Sequence, residues 1–268
     1  MKRHVSALLT LLCLVLLSVS GFAQDWAKQK LDRSPRHSEW VSIKSGDRTI
    51  HAFVVYPERK DKAPAVLVIH EIFGLTDWAR SVADDLAAKG YVAIAPDLLS
   101  GAGPKHGGTD EFPDRDAAVH AVSKLDPQQV TADLNAAADY VKKLPASDGK
   151  LAVAGFCWGG GQSFRFATDR HDLSAAYVFY GPTPKDGLDK ITAPVYGFYA
   201  GNDARITATV PETKDAMHKA GKTYDPVIYD GAGHGFMRAG EDPTDTDPAN
   251  KKAREEAWKR WTELLEKL

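Results

Sequence analysis

Cysteine is scarce in this chain of 268 residues: there are two, Cys13 and Cys157. Neither charge sign dominates, with 34 basic against 36 acidic residues and a formal net charge of −2. No stretch gathers the basic stripe that a nucleic-acid partner needs, so none is expected. No low-complexity segment or internal repeat occurs, which excludes solenoids and long disordered linkers. His51, His70, His106 and His218 do not fall at metal-ligand spacings, so no metal is expected. Gly159-Gly160-Gly161 lacks the Lys-Ser/Thr pair of a phosphate loop. No cofactor is expected.

One long apolar run is present, Val5 to Val19, after Lys2, Arg3 and His4 and before Ser20-Gly21-Phe22-Ala23. A basic start, an apolar run of about 15 residues and small residues beyond it mark a secretory signal peptide. Residues 1–23 are therefore expected to be a leader removed after Ala23, giving a secreted, periplasmic protein without a stable membrane anchor. Retention of the run as an anchor is the alternative. Cleavage would remove Cys13, leaving Cys157 as a lone cysteine in an oxidising compartment, unable to form an internal disulfide. It would also take the formal net charge from −2 to about −4 by removing Lys2 and Arg3. The remaining residues, 24–268, suit a single domain and a monomer is expected.

Strand-like and helix-like patterns alternate from there. Trp40 to Lys44 and Thr49 to Tyr56 predict an antiparallel hairpin about Ser45-Gly46-Asp47. Continuous apolar runs at Ala65 to His70, Tyr91 to Ala95, Lys150 to Ala154, Ala175 to Tyr180, Val195 to Ala200 and Pro226 to Tyr229 predict buried strands. Pro96 is expected to stop the second of these. Helical patterns span Asp77 to Lys89, 114–124, 128–143, Gly161 to Thr168, Pro211 to Ala220 and Asn250 to Leu268. Ser100 to Pro113 is rich in Gly and Pro and predicts a loop long enough to act as a lid. The fold class is α/β: a mostly parallel sheet covered by helices on both faces, with its chemistry at the carboxyl ends of the strands.

Gly155-Phe156-Cys157-Trp158-Gly159-Gly160 stands between a strand and a helix, as a nucleophile elbow does, with Cys157 at the nucleophile position. Asp203 follows the next strand but one, in Gly201-Asn202-Asp203. His234 follows the last strand, in Gly233-His234-Gly235-Phe236. Nucleophile, acid and base thus come in α/β-hydrolase order, each just beyond a strand end. Taken singly, Asp203 is also a plausible helix cap and His234 a loop histidine; the coincidence of three placements favours a triad. A thiol reacts as its thiolate, His234 is the natural proton acceptor, and Asp203 would fix its tautomer. The backbone N–H of Trp158, the residue after the nucleophile, is the expected first donor of an oxyanion hole.

Together with His70-Glu71-Ile72-Phe73-Gly74 and Ala95-Pro96-Asp97-Leu98, these motifs resemble those of the dienelactone hydrolase family over roughly residues 38–268. The cysteine elbow and the Glu-Ile-Phe-Gly run are specific to that family among hydrolases. The resemblance implies an α/β-hydrolase fold and hydrolysis of a small-molecule carboxylic ester or lactone through a thioester. It implies that the Ile72 N–H is the second oxyanion donor. It also implies that Glu71 contacts the resting thiol, keeps it protonated and swings away when substrate binds. The other reading of Glu71 is a carboxylate that only bonds nearby backbone N–H groups.

Arg238, four residues after His234, matches the arginine that binds a substrate carboxylate in members acting on anionic lactones; a surface arginine is the alternative. The family's second carboxylate-binding arginine, expected soon after Asp97-Leu98, is missing, which puts dienelactone itself in doubt. Lys105 is a candidate replacement. A non-hydrolytic thiol redox or ligand-binding protein on the same scaffold is the competing function. A peptidase is a third reading.

Overall fold

The computed structural model describes residues 24–268; the expected leader, residues 1–23, lies outside the described residues. In chain order the elements are α1 (Asp25–Asp32), β1 (Ser38–Ser45), β2 (Arg48–Val55), β3 (Ala63–Ile69), α2 (Asp77–Ala88), β4 (Val92–Asp97), α3 (Arg115–Ser123), α4 (Pro127–Lys143), β5 (Ser147–Phe156), α5 (Trp158–Asp169), β6 (Ala175–Phe179), β7 (Val195–Ala200), α6 (Ala204–Thr207), α7 (Val210–Lys219), β8 (Tyr224–Tyr229), α8 (Phe236–Ala239) and α9 (Pro248–Leu265). The strands form one eight-stranded sheet in the order β1-β2-β4-β3-β5-β6-β7-β8. From β4 to β8 the pairing is parallel, and the β1–β2 hairpin joins it antiparallel through β2. This is the α/β-hydrolase fold with the expected N-terminal hairpin.

The helices start where side chains can take up free backbone N–H groups. Thr76, Asp114, Asp126 and Asp247 cap α2, α3, α4 and α9, and Pro127 and Pro248 occupy first-turn positions that need no donor. Alternate residues of a strand face opposite sides of the sheet, so each central strand feeds two cores. In β3, Val66 and Val68 join the layer under α2 and α9, whereas Ala65, Leu67 and Ile69 join the layer with α4 and α5. All five are fully buried. Burying each of the larger aliphatic side chains contributes about 1.5–3 kcal/mol.

Three departures from the sequence reading bear on the site. Pro96 lies inside β4, opposite Ala52 of β2. The parallel ladder of β4 with β3 ends at Ile94, before Pro96, which leaves no partner there for the missing N–H. Helix α5 starts at Trp158, directly after Cys157, not at Gly161. The short helices α1, α6 and α8 were not anticipated.

The segment after β4 is tied down at its far end. Asp97 accepts from the Leu99 N–H (3.0 Å), the Thr109 N–H (2.7 Å) and the Thr109 hydroxyl (2.8 Å), while Thr109 Oγ1 also accepts from the Leu75 N–H at 2.9 Å. Glu111 takes the N–H groups of Lys105 (2.8 Å) and Gly107 (2.9 Å). The stretch expected to be a lid is thus cross-braced from Gly107 to Glu111.

Candidate active site

Cys157 sits at the tip of a strand–turn–helix bend with φ 57 and ψ −118. A left-handed φ at a non-glycine residue is strained and persists only where the surroundings enforce it. Here they do. The Cys157 N–H bonds the carbonyl of Phe179 at 3.0 Å. Phe156, one residue earlier, is packed among Trp78 (5.1 Å between ring centroids), Phe179 (4.6 Å) and Trp261 (6.0 Å). Close backbone approach does the rest. A Cβ on Gly155 would lie 1.9 Å from the Gly159 carbonyl oxygen, and one on Gly159 would lie 2.3 Å from that of His70. Only glycine permits both, and the result seats the first turn of α5 against the end of β3.

That seating brings two backbone donors to the sulfur. The N–H groups of Trp158 and Ile72 both face the Cys157 thiol and favour its ionised form. Burial and the Glu71 carboxylate oppose them and win, so the thiol's pKa is raised. Among the described residues no hydrogen bond joins Cys157 to His234.

Asp203 and His234 meet as the sequence order suggests. His234 Nδ1 lies 2.5 Å from Asp203 Oδ2, with Asp203 only 8% exposed. The loops after β7 and β8 are stapled together to hold this pair. The Asn202 N–H bonds the Ala232 carbonyl at 2.9 Å, and the Asn202 amide bonds the Gly231 carbonyl at 2.8 Å. Asn250 of α9 accepts from the Gly233 N–H at 2.9 Å. An aspartate at Nδ1 leaves Nε2 of the ring free for proton transfer.

Glu71 is 3% exposed, and its partner is a side chain: Arg238 Nε donates to Glu71 Oε2 at 2.7 Å. Burial works against the Arg238 charge, but Glu71 more than offsets it and raises the pKa. Arg238 stands on α8, the short helix that immediately follows the His234 loop.

Two further residues join the site without having been anticipated. Arg115, at the start of α3, lies with its guanidinium 3.6 Å from the centroid of the Phe73 ring, and Arg238 lies 5.4 Å from the same ring. Burial first, then the charge of Arg238, lowers the Arg115 pKa. A lone arginine opening a helix carries no motif, so only the fold could bring it here. Tyr180 is fully buried with φ 41, its ring edge-on to His234 at 5.1 Å. Among the described residues its hydroxyl meets no side-chain partner, and the Met237 backbone N–H favours its ionised form. Burial, then Glu71, pushes its pKa well up, so it stays a neutral phenol. Lys105, the candidate replacement cation, is not the residue beside Arg238; Arg115 is.

Among the described residues no group of three or more His, Cys, Asp or Glu side chains is placed to hold a metal ion, and no helix is long and apolar enough to cross a membrane.

The model of the Dienelactone hydrolase family matches residues 50–268. A Methylorubrum extorquens protein, provisionally named carboxymethylenebutenolidase, is 33% identical over 234 residues, covering 82% of this chain and 77% of its own. A Saccharolobus solfataricus protein of the same provisional name is 32% identical over 251 residues, covering 82% and 94%. Among solved structures, a Klebsiella pneumoniae protein provisionally titled dienelactone hydrolase superposes with a TM-score of 0.75 at 29% identity, over 87% of this chain and 99% of that one.

Proposed function

The chain belongs to the dienelactone hydrolase family of hydrolytic enzymes, and from that premise we propose that it is a secreted, cysteine-dependent hydrolase of small carboxylic esters or lactones. The observation that carries the reading is the strained Cys157, flanked by two backbone donors, in one site with a preformed Asp203–His234 pair.

The chemistry runs as follows. In this reading the resting sulfur, beside the Ile72 and Trp158 N–H groups, gives way to the substrate's carbonyl oxygen. Rotation about its side-chain bond takes it toward His234 and vacates the space beside the Ile72 and Trp158 N–H groups. His234 accepts the thiol proton, and Asp203 steadies the imidazolium. The thiolate adds to the carbonyl, and the oxyanion is held by the two amides, already oriented for it. Collapse expels the alcohol, protonated by His234, and leaves a thioester. Water, activated by His234, then releases the acid and the thiol.

The favoured substrates carry a carboxylate. Arg238 and Arg115 against Glu71 leave a net positive charge around the Phe73 ring, and a guanidinium grips a carboxylate with two parallel hydrogen bonds. A substrate carboxylate at Arg238 would compete with Glu71, loosening the charge that holds the thiol protonated. Export through the leader accounts for the value of such a guard, because an exposed thiolate would be oxidised. A monomer suffices for this chemistry.

A panel of activated esters and carboxylate-bearing lactones, run with wild type, Cys157→Ala, His234→Ala and Arg238→Ala, tests the reading. Hydrolysis should vanish in the first two variants, and Arg238→Ala should lose anionic substrates selectively. Turnover surviving Cys157→Ala would overturn it.

A further inference from the structure

His70 is fully buried at the end of β3, and the reaction just described makes no use of its ring. The ring nonetheless has three defined neighbours. Nδ1 lies 2.7 Å from the Glu71 carbonyl oxygen, and Nε2 lies 3.4 Å from the Leu98 backbone nitrogen. A carbonyl only accepts and an amide N–H only donates, so the partners fix the tautomer: a proton on Nδ1 and a lone pair on Nε2. Burial lowers the ring's pKa, consistent with the neutral form both bonds need. Third, the ring stacks on the Trp158 indole, with centroids 5.6 Å apart and planes at 16°.

The Glu71 carbonyl is one end of the peptide group whose other end is the Ile72 N–H. The described residues contain no cis peptide, and in a trans peptide the two ends point in opposite directions. A donor that pins the carbonyl therefore aims the N–H, here toward the sulfur. Gly74 N–H also reaches that carbonyl, at 3.2 Å, so His70 supplies the shorter of two restraints. Hydrogen bonding at the oxygen also polarises the peptide and strengthens its N–H as a donor. The stack restrains Trp158, source of the other amide. One side chain thus touches both walls of the oxyanion hole.

We infer that His70 is a positioning residue for the oxyanion hole: as a neutral Nδ1–H imidazole it holds the Glu71–Ile72 peptide and Trp158 so that their N–H groups converge on one point. The inference rests on reading those N–H groups as the oxyanion donors. The oxyanion exists only in the transition state and the intermediate, so the loss on disturbing His70 falls on kcat and not on KM.

Two uncharged polar variants separate this role from simple packing. In His70→Asn the amide nitrogen reaches the Nδ1 position and keeps the bond to Glu71. In His70→Gln the longer side chain reaches the Nε2 position and leaves that carbonyl with Gly74 alone. Both lose the stack equally. With p-nitrophenyl acetate at pH 7.5, His70→Gln should lose roughly ten- to a hundredfold in kcat with KM changed less than about threefold, whereas His70→Asn stays within about fivefold of wild type. Inhibition by an alkyl trifluoromethyl ketone, which adds to the thiol and presents an oxygen to the same amides, should weaken in parallel with kcat/KM. Equal losses in the two variants, the reverse order, or a loss confined to KM would overturn the inference. Thermal melts show whether each variant folds. Should either fail to fold, nitrogen NMR of wild-type His70 decides. A neutral Nδ1–H ring from pH 5 to 9 supports the assignment, and the other tautomer or a titration within that range refutes it. Turnover surviving Cys157→Ala would instead defeat the hydrolase reading, so the two failures are distinguishable.

Discussion

The elbow around Cys157 and the pair of loops carrying Asp203 and His234 face each other across one site, yet different forces hold them. At the elbow, backbone packs on backbone: Gly155 against the Gly159 carbonyl, Gly159 against that of His70, Phe156 clamped among aromatic rings. At the loops, side-chain and main-chain hydrogen bonds from Asn202 and Asn250 do the fastening. Packing at van der Waals contact has no slack, because interiors are filled like crystals. A hydrogen-bonded staple has replacements, since water or a neighbouring group can take up a lost bond. The elbow half should therefore break when altered by one methyl group, and the loop half should loosen by degrees unless Asp203 or His234 itself is changed.

Four experiments sharpen or break that contrast. The largest effect is expected from Asp203→Asn, which keeps the loop staples but no longer fixes the His234 tautomer; kcat for ester hydrolysis should fall roughly 10³- to 10⁴-fold while the melting temperature moves little. A drop in stability matching the drop in rate would show that Asp203 is structural. Next is Gly159→Ala, whose methyl would sit 2.3 Å from the His70 carbonyl oxygen and 2.5 Å from that of Ile69. Overpacking of this kind should destabilise by about 3 kcal/mol or more in a denaturant titration, and lower turnover in whatever folds by roughly 10²- to 10³-fold. An active, stable Gly159→Ala would mean that the elbow yields, and the contrast fails.

Glu71→Gln comes third. Burial and then the Glu71 charge raise the thiol pKa above its ordinary value of 9.0, so wild type should be alkylated slowly by iodoacetamide at pH 7.5, with a rate still climbing as pH passes 9.0. Removing the Glu71 charge lowers that pKa, and alkylation and peroxide inactivation at pH 7.5 should each quicken several-fold. Unchanged rates would deny Glu71 its guarding part. The smallest effect belongs to Asn250→Ala, which removes the bond to the Gly233 N–H. It should cost about 1 kcal/mol of stability and less than about tenfold in kcat. A collapse as severe as that of Gly159→Ala would erase the distinction between the two halves.

How much of this was legible in the sequence follows the same divide. Strands and helices with continuous apolar runs or capped starts were readable, because burial and capping leave local marks. The meeting of Asp203 with His234 was readable because each closes a glycine-bearing turn just after a strand. Pro96 misled: a proline normally ends a central strand, but here the ladder with β3 had already ended. Arg115 and Tyr180 left no trace, since only the fold brings α3 and the end of β6 to the site. Glu71 was expected to lean on the thiol, and its hydrogen bond goes to Arg238 across 167 positions of chain, a pairing that no local pattern encodes.

The mooring of Thr109 to Asp97 has a practical corollary for anyone reshaping this protein. It divides the connection between β4 and α3 into an open bight, around residues 101–104, and a fastened remainder that begins where Glu111 takes the Lys105 N–H. New length or new sequence should be accepted in the bight, where Gly101, Ala102 and Pro104 are open to solvent. The same changes at Gly108 or Thr109 would slip the knot and unseat Leu75 beneath it.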